Sequence, residues 1–160
     1  MATATGAELA TQLERQLTAL NALHEALASE AEALRAADTQ LLDDATHAKT
    51  ERIEQVQAEE QALTEQLQQL GYHSDQQELT RWLQQRFDHA HQLLDLLARL
   101  RSAASACAEL NQRNGAVIEG TRRYVADALE VMTGASATPA GTYDASGAHS
   151  NAATHHIGTA

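Results

Sequence analysis

The chain is poor in aromatic residues, proline and cysteine, and each shortage narrows the range of possible folds. Of its 160 residues, five are aromatic, one is proline and one, Cys107, is cysteine. Leucine and alanine can fill the thin seam between helices, whereas a thick globular core needs aromatics. Abundant Ala, Leu, Gln and Glu favour long helices. A single cysteine excludes an internal disulfide, and we predict that Cys107 is a small buried hydrophobe.

Basic residues and long apolar runs are also scarce. Eleven Lys and Arg stand against 22 Asp and Glu, which gives a net charge of −11. This charge repels a phosphate backbone or an anionic membrane surface, so we expect neither nucleic-acid binding nor membrane insertion. The first residues lack the features of a signal peptide, and no stretch approaches the roughly 20 apolar residues of a membrane span. The sequence therefore predicts a cytoplasmic protein.

Patterns for catalysis or metal binding are not recognisable. Among the eight histidines, His89 and His91 are two positions apart, which places them on different faces of a helix. No four ligands have the spacing of a structural zinc site. Neighbouring carboxylates such as Glu59 and Glu60 diverge in the same way and form no catalytic pair. We therefore expect no enzymatic activity, no metal site and no cofactor.

Apolar residues recur with helical periodicity in the first half of the chain. The first row consists of Leu13, Leu20, Leu27, Leu34 and Leu41, at seven-residue spacing. Asp38 then occupies a seam position, where a charge is costly. One helix over about 7–70 with a stutter fits this stretch, and so does a hairpin that turns near Asp38 and Thr39, which are good N-cap residues. We favour the hairpin, with helices over about 7–37 and 39–70.

The most regular repeat follows the turn predicted at Gly71. Two interleaved, mostly apolar rows begin at Leu79 and Leu83 and keep their phase as far as Met132. A phase held over about eight heptads is typical of one continuous helix. The sequence therefore predicts a single helix over about 76–133.

The last part of the chain has a different composition. From Gly134 onward, Gly, Ala, Ser and Thr dominate. Such a segment cannot bury enough apolar area to offset the entropy lost on ordering. We therefore predict an all-α protein, with an antiparallel, coiled-coil-like bundle of three or four long helices at 1–133 and a disordered tail at 134–160.

The third predicted helix is too long for the first two to cover. Helices of about 31 and 58 residues measure roughly 46 and 87 Å at 1.5 Å per residue. Its far half should then expose an apolar stripe, which usually marks a protein-binding surface. The stripe consists of Leu110, Val117, Ile118, Val125, Leu129 and Met132. A bend near 102–105 or Gly115, or dimerisation, would cover it instead, so a self-associating structural coiled coil is the alternative function.

Two amides interrupt this stripe beside a glycine. Asn111 and Asn114 fall on the two seam rows, next to Gly115. A buried Asn costs stability but fixes register and partner choice, and the glycine would let a second backbone approach closely. These residues are candidate contacts with a partner, or the two amides are semi-exposed and only weaken the helix.

The C-terminal third of the sequence resembles the FlgN family. Residues 109–119 contain an Asn-x-x-Asn-Gly element and an apolar pair, and residues 142–147 contain Tyr-x-x-x-Gly in the tail. Members of the family carry these elements in the same order. The upstream likeness is looser: a Leu/Glu-rich first helix, a second with Lys49, a turn at Gly71, and a third helix that opens on Trp82.

The resemblance implies a cytoplasmic chaperone of the flagellar type III export system. Such chaperones hold the hook–filament junction proteins, the first and third hook-associated proteins, by their C-terminal helices. They prevent premature assembly and deliver these clients to the export gate. By position, the client-binding surface would be the stripe with Asn111, Asn114 and Gly115. Tyr143 and Gly147 would dock on the gate protein FlhA, and the His-bearing end after Gly147 matches no family pattern.

Overall fold

The computed structural model is helical throughout its regular elements. It describes residues 2–74, 78–88 and 90–133. Its helices are α1 (Ala2–Ala36), α2 (Thr39–Gln69), α3 (Leu79–Arg86) and α4 (Ala90–Thr133). These ranges contain no strand, so the predicted all-α bundle is confirmed. None of the described helices has the length and apolar content that a membrane crossing requires.

The chain divides into two units, and the described bundle belongs to the first. The first unit comprises Met1–Gly120, and the second begins at Thr121. In the second unit the structure describes the end of α4, up to Thr133. The tail predicted at 134–160 lies outside the described residues. A boundary between bundle and tail at residue 133 therefore stays a prediction.

The turn between α1 and α2 lies at the predicted position. Asp38 is the N-cap of α2, and its Oδ1 accepts hydrogen bonds of 3.0 Å from the backbone amides of Gln40 and Leu41. Ala37 precedes it with a φ of 51°, the left-handed conformation in which many helices end. The aspartate satisfies amides that the helix itself leaves without partners. A hairpin therefore forms without glycine or proline.

Helix α1 is the most extensively buried element. Its buried apolar residues are Leu9, Leu13, Leu17, Ala19, Leu20, Leu23, Ala26, Leu27, Ala31 and Ala33. Helix α2 buries only Ala45 and Leu67. This asymmetry arises because α1 packs against the other long helices of the unit on more than one side.

Two hydrogen bonds fix the direction of α4 relative to α1. The Cys107 thiol donates to the carbonyl of Leu20 at 3.3 Å, and the Asn114 amide donates to the carbonyl of Leu27 at 2.9 Å. Both pairs are 87 residues apart in sequence. A constant separation means that α1 and α4 run parallel, and the hairpin makes α2 antiparallel to both.

Two hydrophobic clusters fill the first unit. The larger contains Leu9, Leu13, Leu67, Trp82, Leu83, Phe87, Ala90, Leu93, Leu96 and Leu97. The smaller contains Leu20, Leu23, Leu27 and Cys107. Leucine thus supplies most of the core, as the shortage of aromatics implies. The predicted burial of Cys107 is confirmed, since 5% of its surface is exposed.

The single helix predicted over about 76–133 is interrupted. Helix α3 ends at Arg86 and α4 begins at Ala90, and Phe87 between them is extended, with φ −126° and ψ 126°. The break turns the Phe87 ring into the larger cluster, where it meets Trp82 edge-on at a centroid distance of 6.0 Å. The apolar rows keep their phase across the break, so periodicity alone could not reveal it. This prediction is corrected to two helices.

Candidate docking surface

Large apolar side chains are concentrated on the surface of the C-terminal part of α4. Six of them are exposed there: Val117, Ile118, Tyr124, Val125, Leu129 and Met132. The exposed fraction ranges from 42% for Ile118 to 82% for Met132. Elsewhere in the described residues only Leu41 and Ile53, both on α2, are large apolar residues with comparable exposure. We call Val117, Ile118, Val125, Leu129 and Met132 the α4 stripe.

The α4 stripe contains an apolar row on one side of the helix. Ile118, Val125 and Met132 are seven residues apart, so they lie on one side of α4. Asn114, four residues before Ile118, lies on the same side and is only 3% exposed. On the row of Ile118 itself, Leu97 is buried, whereas Ala104 and Asn111 are exposed. Burial on this side of α4 therefore ends at Leu97 on one row and at Asn114 on the other.

Three other predicted contact residues lie in different surroundings. Leu110 is half-buried and packs against the smaller cluster of the first unit. Asn111 is exposed. Gly115 is also exposed, and nothing lies within 4 Å of a Cβ built on it. Asn111 and Gly115 are therefore accessible beside the α4 stripe, whereas Leu110 belongs mainly to the bundle.

Asn114 makes its contacts inside the chain. Its Nδ2 donates to the Leu27 carbonyl and to Glu30 Oε2, both at 2.9 Å. The other carboxylate oxygen of Glu30 accepts from Lys49 Nζ at 2.5 Å, and Glu30 is 1% exposed. We call Glu30, Lys49 and Asn114 the polar junction. Asn114, predicted as a partner contact, is thus not part of the exposed surface.

Sequence reasoning missed Glu30 as a member of this site. The signal was present, because Glu30 lies between Leu27 and Ala31, two residues of the α1 seam. A helical residue three positions after one seam residue and one before the next faces the same side. A charge at such a position needs a partner. Which partner it finds depends on the other helices, so pattern alone could not name Asn114.

His47 and Cys107 have shifted pKa values, and neither residue lies in the α4 stripe. Burial raises the pKa of the Cys107 thiol. The pKa of His47, on α2, is raised first by the backbone carbonyl of Asp43 and then by the charge of the Asp43 carboxylate. In the described ranges, no three His, Cys, Asp or Glu side chains gather where a metal ion could bind. The residues predicted to dock on the gate, Tyr143 and Gly147, lie outside the described residues.

These features define a class: a helical-bundle protein whose longest helix has a packed part and an exposed apolar part. A family model described as FlgN protein matches residues 1–151. The chain therefore belongs to the FlgN family, and the predicted resemblance is confirmed. This is a family of flagellar export chaperones that bind hook-associated proteins. No curated protein and no solved structure matches the chain.

Proposed function

We propose that this chain is a cytoplasmic chaperone for the hook–filament junction proteins, the first and third hook-associated proteins. It binds their C-terminal helices through the α4 stripe, prevents their premature assembly and delivers them to the flagellar type III export gate. One observation carries the proposal. Ile118, Val125 and Met132 form a seven-residue row of large apolar side chains that are exposed on α4.

An amphipathic client helix is the partner that fits such a surface. A seven-residue apolar row is the pattern with which helices pack against one another. A client helix on the α4 stripe would repeat the contact that α1 makes with α4 upstream. The apolar area removed from water contributes about 25 cal/mol per Å². The same contact hides the apolar face of the client, which would otherwise promote association of free clients.

Co-purification tests the client-binding surface directly. The C-terminal segment of a hook-associated protein is co-expressed with the wild-type chain, with Val125→Asp and with Leu41→Asp. Val125 and Leu41 are exposed to similar degrees, 49% and 53%, on different helices. We expect Val125→Asp to lose the client and Leu41→Asp to retain it. Retention by Val125→Asp would remove the α4 stripe from the proposal.

Self-association through the same stripe is the competing outcome. Light scattering at micromolar concentration separates the two. A chaperone that keeps its stripe for clients is mostly monomeric when free, with helicity that does not depend on concentration. A dimer that dissociates on Ile118→Asp would instead support a structural coiled-coil module.

We assign the delivery of clients to the export gate to the residues that follow α4 in the sequence. By the family pattern, Tyr143 and Gly147 would contact the gate protein FlhA. Deletion of residues 135–160 should therefore impair binding to FlhA. Client affinity should stay similar or become tighter, because any ordering of a segment on binding costs free energy. A large loss of client affinity on deletion would contradict this division of roles.

A further inference from the structure

The polar junction lies where the buried side of α4 ends. It joins three helices of the first unit, through Glu30 on α1, Lys49 on α2 and Asn114 on α4. Asn114 is the last buried residue of α4 for which the structure describes the side chain's surroundings.

Stability alone does not account for a buried carboxylate at this position. Removing a charged group from water is costly, and a well-packed apolar replacement of a buried ion pair is often neutral or stabilising. Leucine and alanine already fill the neighbouring positions of the seam, with Leu27 1% and Ala31 8% exposed. What a buried polar group supplies, and an apolar one cannot, is selection of one arrangement of helices.

The apolar rows of α4 do not by themselves select one rotation of this helix against α1. One row contains Leu93, Leu100, Cys107 and Asn114, and the other contains Leu97, Ala104, Asn111 and Ile118. A rotation of α4 about its own axis by about 60°, the angular offset of residues three apart at 3.6 residues per turn, would turn the second row toward α1 in place of the first. The second row also carries leucine, but its Asn111 lies about 4.5 Å from the level of Asn114 along the helix, at 1.5 Å per residue. Glu30 would therefore lose its amide partner after this rotation. The junction is satisfied in only one of these rotations.

We propose that Glu30, Lys49 and Asn114 are positioning residues that fix the rotation and register of α4 on the α1–α2 hairpin. By selecting the row that contains Cys107 for burial, they determine which α4 side chains remain exposed for docking. The last step rests on the proposed function, whereas the positioning of α4 does not. The junction thereby acts on client binding without touching the client.

Cys107 is a built-in reporter of the rotation of α4. It is the only cysteine, lies seven residues before Asn114 on the same row, and is 5% exposed. Its reaction with a maleimide under native conditions therefore measures how often this row leaves the seam. Global stability is measured separately, by thermal melting.

The decisive variant replaces the whole junction with apolar residues: Glu30→Leu, Lys49→Met and Asn114→Leu together. We expect a melting temperature at or above that of the wild type, but a maleimide reaction about tenfold faster or more, because nothing now selects one rotation. A thiol as protected as in the wild type would overturn the proposal. So would a faster reaction that is fully explained by a lower melting temperature.

Two further variants supply a matched control and a single substitution within the junction. Gln16→Leu is the matched control, since Gln16 is a buried polar residue of α1 outside the junction whose Oε1 has no hydrogen-bond partner in the described residues. It should leave the Cys107 rate unchanged, and an increase like that of the triple variant would contradict a specific role of the junction. Asn114→Leu alone should raise the rate as well, and it decides the question if the triple variant does not fold cooperatively.

Client binding is read out independently with the C-terminal segment of a hook-associated protein. We expect the triple variant to bind it about tenfold more weakly, since the exposed row is no longer held in one position. If the wild-type chain binds no such segment, the proposed function fails while the thiol comparison still tests the junction. If the thiol reacts faster but client affinity is unchanged, the proposed link between position and docking is wrong.

Discussion

Helix α4 has two parts that carry the same apolar repeat and have opposite surroundings. In the part up to Asn114, Leu93, Leu97 and Cys107 are buried against other helices of the first unit. In the later part, large apolar residues such as Val125 are exposed. A seven-residue repeat therefore predicts that a helix has a docking face. It does not say whether the occupant of that face is the chain itself or another molecule.

The largest expected difference between the two parts is in stability. Leu97→Ala removes a side chain that is 6% exposed in the larger cluster, so the free energy of unfolding should fall by about 2–5 kcal/mol. Val125→Ala, at a position 49% exposed, should change it by no more than about 0.5 kcal/mol. Urea denaturation of both variants measures the contrast. Similar losses would mean that the later part of α4 is packed in solution.

Client affinity should show the reverse order. Ile118→Asp with Val125→Asp places two charges in the α4 stripe, and we expect client binding to weaken by about 2–4 kcal/mol. Isothermal titration with the C-terminal segment of a hook-associated protein measures this loss. Unfolding should be almost unaffected, because both side chains are exposed in the free chain. Unchanged affinity would place the client elsewhere on the molecule.

The chemistry of single residues located the break between α1 and α2 but not the break between α3 and α4. Asp38 stands at a seam position with cap-forming chemistry, and this mismatch correctly located the hairpin turn. Phe87 carries no such signal, since aromatic residues are common in helices and both apolar rows continue past it. Its backbone is extended and its ring packs edge-on against Trp82, a contact between side chains that the sequence pattern does not reveal.

The same limit applies to the two amides of α4. Asn111 and Asn114 both fall on seam rows, and the sequence gives no reason to separate them. The structure separates them because Glu30 and the Leu27 carbonyl face Asn114 alone. Ile118 and Val125, in contrast, are exposed as predicted, although the single long helix from which their exposure was predicted is two helices in the structure.

Replacing each of these amides by alanine should show that Asn114 contributes to stability and Asn111 does not. Asn114→Ala leaves Glu30 without one of its two hydrogen-bond partners, so we expect a loss of about 1–3 kcal/mol in the free energy of unfolding. Asn111→Ala, on the exposed side, should change it by no more than about 0.5 kcal/mol. Thermal and urea denaturation of the pair provide the measurement. Equal effects would show that the junction is not formed in solution.

The smallest expected effect lies at the boundary itself, at Gly115. Nothing lies within 4 Å of a Cβ built at Gly115 or at Gly120, and Gly71 is the only described glycine with a positive φ. Alanine should therefore fit at both α4 positions and raise the free energy of unfolding by about 0.5–1 kcal/mol each, because it loses less backbone entropy in a helix. Gly71→Ala, at a φ of 87°, should destabilise instead. These three melting curves check the backbone geometry.

Client binding then separates the two α4 glycines. If the backbone of a client helix approaches α4 closely at Gly115, a methyl group there should weaken binding even though it stabilises the free chain. Gly120→Ala supplies the same gain in helix stability, so it controls for any effect of a stiffer α4. Weaker binding by Gly115→Ala alone would place the client backbone at the point where the chain's own packing ends. Equal affinities for the two variants would mean that this glycine serves no close approach, and that contact with the client begins at Val117 or beyond.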